Sequence, residues 1–224
     1  MRNSSRPSKI KRRRRARTFG LAAIGLAVTM SAPAFSHESG PQEQTATPPS
    51  QNHPATAPLP FDFGGPFALI DHAGNPRTDM DFRGAFMLVF FGYTQCKSIC
   101  PVGLRRMARA LEILGPDGAR IQPLMITVDP DNDTPEAMRA YVGTIHPRLI
   151  GLTGAREQVR KAARAYNVES RLVGSDPGGA PIFAHGSYFF LMAPDGAFAT
   201  LLPPTIGEED LARLLSKYLR QHPQ

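Results

Sequence analysis

The sequence contains very little cysteine: Cys96 and Cys100 are the only two in 224 residues. Two thiols and few histidines are too few for a structural zinc site, which takes four protein ligands. A disulfide between residues four apart closes so small a loop that it is worth only about 2 kcal/mol. A functional role therefore explains the cysteine pair better than stabilisation of the fold by a disulfide. A structural disulfide or two inert thiols are the simpler alternatives.

Acidic residues are absent from the first 18 positions, which hold nine of the 26 Lys and Arg residues. This basic end accounts for the formal net charge of +7 and the pI near 9.8, since the rest of the chain carries 17 basic and 19 acidic residues. A basic protein would suggest nucleic acid or an acidic membrane surface as a partner. Because the positive charge is confined to one end, the sequence predicts no nucleic-acid partner.

The apolar segment that follows the basic end, FGLAAIGLAVTMSAPAF, is shorter than the ~20 residues that comfortably span a bilayer. It ends in Ala32-Pro33-Ala34, which matches a signal-peptidase site. Residues 1–36 are therefore predicted to be a signal peptide or an N-terminal membrane anchor, with a mitochondrial presequence as the competing interpretation. We expect an exported, periplasmic protein, either released by cleavage or anchored to the inner membrane. Residues 37–59 are polar and proline-rich, as in a disordered spacer.

In residues 60–222 predicted strands and helices alternate, as in a single α/β domain. An entry hairpin around Gly74-Asn75 precedes AFMLVFFGY, a continuous apolar run typical of a strand buried on both faces. A helix with apolar residues at helical spacing begins near Pro101, and the strand PLMITVD and a second helix follow. A hairpin turned at Pro194–Gly196 and a last helix end the domain. The Gly- and Pro-rich segment 174–186 is predicted to be a mobile loop.

The cysteine pair lies where a buried strand ends and a helix begins. Parallel α/β sheets commonly bind their ligands at this position. The helix N-terminus and the nearby Lys97, Arg105 and Arg106 are expected to favour thiolate over thiol. Three residues separate the cysteines, unlike the two of a thioredoxin motif, so one helical turn places both sulfurs on the same side. Soft sulfur in this arrangement suits a shared Cu(I) or zinc ion.

One histidine is a better candidate for a third ligand than the others. His185 ends the loop 174–186 and enters an apolar strand, so it can approach the strand-helix corner. The alternative is an ordinary surface histidine. The remaining histidines lie in the spacer, in turns or at helix ends: His37, His53, His72, His146 and His222.

Four motifs in this order resemble the Sco/SenC family of copper-binding assembly factors for cytochrome c oxidase: GGPFALIDHAGNPRTDMDFRG, LVFFGYTQCKSICP, TVDPDNDTPE and HGSYFFLMAPDG. The resemblance covers residues 61–220 and implies a thioredoxin-like fold, with a central mixed β-sheet flanked by helices and an N-terminal β-hairpin. It implies a copper ion held by Cys96, Cys100 and His185. It also implies delivery to the apo copper subunit of cytochrome c oxidase or to another periplasmic copper or thiol protein.

The chain departs from the family pattern between and before the cysteines. Proline and an acidic residue are often found between them and a histidine before them, where this chain has Lys97-Ser98-Ile99 and Gln95. We expect Lys97 to make the site more positive and to shift partner choice or redox potential.

Two acidic residues and four methionines have simpler interpretations. Asp129 and Asp133, in the D-P-x-x-D-T element, are expected to form a turn and a helix cap, with support of the metal site or of a partner as the alternative. Met87, Met107, Met125 and Met192 fall in apolar periodic segments and are predicted to fill the core rather than bind metal.

The favoured function is an exported copper chaperone whose metal is released when the cysteines form a disulfide. The alternative is a thiol-disulfide oxidoreductase that uses Cys96 and Cys100 as a redox-active pair on a partner's copper site and does not need His185. A peroxiredoxin is disfavoured because Tyr93 stands where its T-x-x-C signature needs threonine. An exported interaction domain with an incidental disulfide is the third class.

Overall fold

The computed structural model describes residues 63–222. The predicted signal peptide or anchor (1–36) and the predicted spacer (37–59) lie outside these residues. Within residues 63–222, no helix combines the length and apolarity that crossing a membrane requires.

A seven-stranded mixed sheet forms the centre of the fold, with a separate two-stranded sheet beside it. The strands are β1 (Ala68–Asp71), β2 (Pro76–Thr78), β3 (Phe86–Gly92), β4 (Ile121–Thr127), β5 (Ile150–Thr153), β6 (Ser170–Ser175), β7 (Pro181–His185), β8 (Phe189–Met192) and β9 (Phe198–Leu202). The large sheet has the order β2-β1-β5-β4-β3-β8-β9, in which β3, β4 and β5 run parallel and the other pairs are antiparallel. The smaller sheet pairs β6 with β7.

Strand β3 is buried at every position, as its apolar run predicts. The adjacent Phe90 and Phe91 point their side chains to opposite faces of the sheet. The ring of Phe90 lies against the helical Gly103, whereas the ring of Phe91 is 5.4 Å from that of Tyr166. A strand covered on both faces cannot shift its register without exposing aromatic rings, so its end is a rigid base for the residues that follow.

Helices cover the large sheet: α1 (Ile99–Leu114), α2 (Pro135–Gly143), α3 (Arg156–Ala165) and α4 (Glu208–Gln221). Helix α1 packs against α4, α2 against β5 and α3 against β1. The predicted periodic residues of α1 are buried, namely Leu104, Met107, Ala108 and Leu111. The four methionines predicted to fill the core, Met87, Met107, Met125 and Met192, are all at most 2% exposed.

The two hairpins predicted from turn residues are present. β1 and β2 pair around a turn in which the Asp71 carboxylate accepts hydrogen bonds from the backbone N–H groups of Ala73 and Asn75. β8 and β9 pair across the turn that contains Gly196, which has a positive φ of 82°. Glycine adopts this conformation without the strain that a side chain would introduce.

The prediction of a mobile loop over 174–186 is wrong, because most of this segment forms the β6–β7 hairpin. Asp176 organises its turn: the side chain accepts hydrogen bonds from the N–H groups of Gly178 and Ala180, and the Asp176 N–H donates to the Ala180 carbonyl. The glycines and prolines thus build a tight turn between paired strands. His185 is the last residue of β7 and not the end of a loop.

The prediction that Asp133 caps a helix is wrong, because the neighbouring Thr134 is the capping residue. Thr134 caps α2 by accepting a hydrogen bond from the Ala137 N–H. Asp133 is fully buried, and its carboxylate accepts from the Thr127 hydroxyl at 2.5 Å and from the Thr94 hydroxyl at 2.6 Å and its N–H. It therefore connects the end of β4 to the segment that leaves β3. Asp129 does take part in a turn, since its side chain accepts from the Asn132 amide.

Replacement of Asp133 by alanine should lower the free energy of unfolding by about 2–4 kcal/mol, because it leaves buried donors on Thr94 and Thr127 without an acceptor. Urea denaturation of the reduced, metal-free protein measures this. Asp131→Ala is the matched control, since Asp131 is exposed and pairs only with Arg156 at the surface, and it should change stability by less than about 0.5 kcal/mol. Equal effects of the two substitutions would contradict the role given to Asp133.

Candidate metal centre

The two cysteines follow directly from the end of β3. The chain leaves the sheet at Gly92 and turns, with the Cys96 N–H donating to the Tyr93 carbonyl at 3.2 Å. Cys100 then lies in the first turn of α1, where its thiol is fully buried. Both cysteines are free thiols. The predicted placement at a strand end and a helix start is therefore confirmed.

His185 approaches the cysteine pair from the neighbouring hairpin. Its Nε2 lies 4.0 Å from the Cys100 Sγ, although the two residues are 85 positions apart. Its Nδ1 lies 3.2 Å from the Gly186 carbonyl, which can only accept a hydrogen bond, so this contact favours the tautomer with the proton on Nδ1. In the neutral ring the lone pair is then on Nε2, facing Cys100. Burial also lowers the pKa of His185, which favours the neutral form that can bind a metal.

Gly92 leaves the space that the Cys100 thiol occupies. A Cβ at this position would lie 3.1 Å from the Cys100 Sγ and 3.0 Å from the Phe90 ring. Both distances are tighter than ordinary packing, so a side chain here would displace the thiol or the ring. The sequence offered no signal for this role beyond a glycine at a strand end.

The pair is electrostatically asymmetric. The hydrogen bond donated by the Cys100 thiol is the largest influence on Cys96, and with the N–H groups of Ser98 and Cys100 it lowers the pKa of Cys96 to about 4, against the raising effect of burial. The pKa of Cys100 is raised, first because Cys96 holds its thiol proton and then because the side chain is buried. The site therefore holds one thiolate and one thiol at neutral pH.

Two of the three cations expected to favour the thiolate are engaged elsewhere. The Lys97 ammonium forms an ion pair with Asp176 in the β6–β7 turn, and Arg106 donates to the Pro204 carbonyl. The expectation that Lys97 makes the site more positive is therefore wrong, because Asp176 offsets its charge. The pair has a structural consequence instead, since it joins the segment between the cysteines to the hairpin that carries His185.

Tyr93 is a site residue that the sequence analysis missed. Its ring lies edge-on to His185, with 5.9 Å between ring centroids, and 5.3 Å from that of Phe183. Its hydroxyl accepts a 3.4 Å hydrogen bond from the Phe183 N–H. Tyr93 thus packs against β7 and positions the His185 imidazole. The sequence signal was only the aromatic end of an apolar run, which a core residue explains equally well.

The histidines set aside in the sequence analysis have other contacts where the structure describes them. His72 Nδ1 accepts from the Gly151 N–H and His146 Nδ1 accepts from the Arg148 N–H, each at 3.1 Å. The His222 ring lies edge-on to Phe86. His37 and His53 lie outside the described residues.

The donor atoms of the site suit a soft metal ion, although the centre is not assembled. In residues 63–222 no three His, Cys, Asp or Glu side chains already have the arrangement of a metal centre. Sulfur and nitrogen bound to one ion at about 2.3 and 2.0 Å lie roughly 3.5–4.3 Å apart. The 4.0 Å between Cys100 Sγ and His185 Nε2 falls in this range.

The low pKa of Cys96 predicts alkylation that changes little with pH. Iodoacetamide should modify Cys96 at pH 6 nearly as fast as at pH 8, whereas an ordinary thiol would react about 100-fold more slowly at the lower pH. Peptide mass spectrometry identifies the modified residue. Cys100→Ser keeps a hydrogen-bond donor and should preserve the flat profile, while Cys100→Ala should make it steeper. A steep profile in wild type would contradict this assignment.

Comparison with known proteins connects this site to a family. The SCO1/SenC family profile matches residues 55–220. The mouse protein named SCO2 homolog, mitochondrial, is 38% identical over 157 residues, which are 69% of this chain and 62% of the relative. The fission-yeast protein sco1 is 38% identical over 158 residues, 69% of this chain and 60% of the relative. The chain spans about half to three fifths of the length of the first relatives it matches.

A solved structure gives the same result for the fold. The Arabidopsis thaliana ScoI protein, crystallised with copper bound, is 32% identical and has a TM-score of 0.68. The match covers 71% of this chain and 99% of that one. The predicted α/β, thioredoxin-like fold with a mixed sheet is therefore confirmed. With its family profile matched over well more than half of its length, the chain belongs to the SCO1/SenC family.

Proposed function

We propose that this protein is an exported copper chaperone, which binds copper through Cys96, Cys100 and His185 and delivers it to the copper centre of cytochrome c oxidase during assembly. One observation carries the proposal. The His185 Nε2 lies 4.0 Å from the Cys100 Sγ, at the strand-to-helix corner that also holds Cys96, although His185 and Cys100 are 85 positions apart in sequence. Copper bound to relatives such as the Arabidopsis and Bradyrhizobium japonicum ScoI proteins supports copper as the cargo.

The donor set favours Cu(I) over zinc. Two sulfurs and one imidazole are soft or intermediate ligands, and three ligands satisfy Cu(I) but leave a structural zinc ion one short. Copper would enter a site in which Cys96 is already a thiolate and His185 already neutral. Only Cys100 must lose a proton, and a small movement of the side chains would then bring all three donors to one ion.

Release can be coupled to oxidation of the pair. If a disulfide of a partner protein accepts two electrons by thiol-disulfide exchange, the two sulfurs of this chain join to each other and the partner's sulfurs leave as thiols. The copper ion then loses both sulfur ligands and retains only His185. Cargo transfer and thiol chemistry would therefore occur at the same three residues.

A second candidate function rests on the asymmetry of the thiols. A low-pKa cysteine beside a buried, high-pKa one is the arrangement of a nucleophile and a resolving thiol in an oxidoreductase. Such an enzyme would reduce a disulfide in a partner's copper site without holding copper. It would need Cys96 and Cys100 but not His185.

The cellular setting is part of the proposal. The basic run and apolar segment of residues 1–36 support export to the periplasm and attachment to the inner membrane. Several relatives are named mitochondrial. They would act in a different compartment from the periplasm, but in an equivalent role. The recipient would be the apo copper subunit of the oxidase or another periplasmic copper or thiol protein.

Cu(I) titration against a competing chelator tests the ligand set. Wild type should bind one Cu(I), and His185→Ala should weaken binding by about 10- to 100-fold because it removes one of three donors. Cys96→Ser and Cys100→Ser should weaken it further. His146→Ala is the control, since this histidine accepts a hydrogen bond outside the site, and it should leave the affinity unchanged.

The same variants distinguish the two functions. If affinity is unchanged in both His185→Ala and Cys100→Ser, the chaperone proposal fails. If wild type binds no Cu(I) but reduces a model disulfide, and His185→Ala reduces it equally fast, the oxidoreductase is the correct function.

A further inference from the structure

A cleft lies between the β6–β7 hairpin and α3, directly beside His185. Its volume is about 790 Å³, and three arginines line it: Arg160 and Arg164 from α3 and Arg171 from β6. Ala184, His185 and Gly186 form the wall nearest the candidate metal centre. We call this space the arginine cleft. A ligand that occupied it would lie against the hairpin that carries His185.

The arginine cleft carries uncompensated positive charge. Arg164 forms an ion pair with Glu157 at 2.6 Å. Arg160 and Arg171 are exposed, and neither makes an ion pair with any residue in the range that the structure describes. Glu169 is the one acidic residue on the wall of the cleft. Because the chain beyond the first 18 residues carries 17 basic against 19 acidic residues, this positive region is a local feature and not a reflection of overall charge.

Apolar side chains extend the arginine cleft into a longer groove. A second cleft of about 240 Å³ shares Arg160 with the first and is lined by Leu172 and Phe183. Leu172 is 57% exposed and lies opposite Phe183 in the hairpin. The acidic residues on this second wall are Asp129 and Asp131, of which Asp131 is paired with Arg156. Exposed apolar residues that cluster beside unpaired arginines are typical of a protein-docking surface, whereas a small anion would need only the charges.

We propose that the arginine cleft docks an acidic segment of the protein that exchanges copper with this chain, an inference that rests on the proposed function. Carboxylates of that segment would pair with Arg160 and Arg171, whose planar guanidinium groups bind carboxylates through two hydrogen bonds. Its apolar residues would cover Leu172 and the edge of Phe183. Docking here brings the partner's own copper ligands next to His185, so the imidazole is the ligand at which exchange begins.

Copper transfer to a protein acceptor tests the docking site. The acceptor is the apo copper-binding domain of the oxidase subunit, mixed at low salt with the Cu(I)-loaded chain. The double variant Arg160→Glu/Arg171→Glu should transfer copper at least about tenfold more slowly, because electrostatic steering becomes repulsion. Added salt should slow wild type and should not slow the variant. Its Cu(I) affinity should stay within about twofold of wild type.

The matched control is Lys217→Glu/Arg220→Glu, which changes the net charge by the same amount on α4, a helix that does not line the cleft. This variant should transfer copper within about twofold of the wild-type rate. Equal slowing of both double variants would show a general charge effect and overturn the docking site. An unchanged rate in Arg160→Glu/Arg171→Glu would also overturn it.

Two further measurements separate the inference from the proposed function. Transfer to the small chelator bathocuproine disulfonate should be equal in wild type and the cleft variant once the chelator's own charge is screened by salt. Slowing there as large as with the protein acceptor would mean that the cleft serves small anions, and would overturn the proposal. Binding of the metal-free chain to the metal-free acceptor should weaken in the cleft variant. That readout tests docking even if the chain binds no Cu(I).

Discussion

Burial of β3 on both faces is the constraint on which the site depends. Phe90 packs towards α1 and Phe91 towards Tyr166, so the strand is held from both sides and its last residue, Gly92, is fixed in position. The chain must leave the sheet there and begin α1 within a few residues. Cys96 lies in that short connection and Cys100 in the first turn of α1, so both thiols are held close to the end of the strand.

His185, the proposed third ligand, is held more weakly than the two cysteines. His185 ends a hairpin whose first strand, β6, is exposed at every position. Tyr93 and the ion pair between Lys97 and Asp176 join this hairpin to the cysteine segment. Ion pairs of exposed lysine contribute little to stability, so the hairpin can move at small cost. For the proposed copper chaperone, a weakly held histidine beside two firmly held thiols would allow the metal to be released.

Much of the fold could be predicted from sequence because its signals are local. The apolar run of β3, the helical spacing in α1 and the turn residues at Gly196 each act within a few residues. The β6–β7 hairpin was missed because its exposed positions have no alternation of apolar and polar residues, and because its turn is built by the Asp176 side chain. Glycine and proline in such a segment predict a loop equally well.

The candidate site, like the fold, could be predicted only in part. The cysteines could be recognised from their position and spacing, and His185 from its place before an apolar strand, an assignment that the family resemblance strengthened. The contacts that hold the site could not be predicted, since they join residues far apart: Thr94 with Asp133 over 39 positions, and Lys97 with Asp176 over 79. The charge of Lys97 was misjudged for this reason. A single sequence shows which groups are available but not which of them are already paired.

Copper K-edge X-ray absorption of the Cu(I)-loaded protein tests the central claim most directly, because it counts the ligands and distinguishes sulfur from nitrogen. The account predicts two sulfurs and one nitrogen in wild type and loss of the nitrogen in His185→Ala. A wild-type spectrum with sulfur ligands alone, unchanged by His185→Ala, would contradict it.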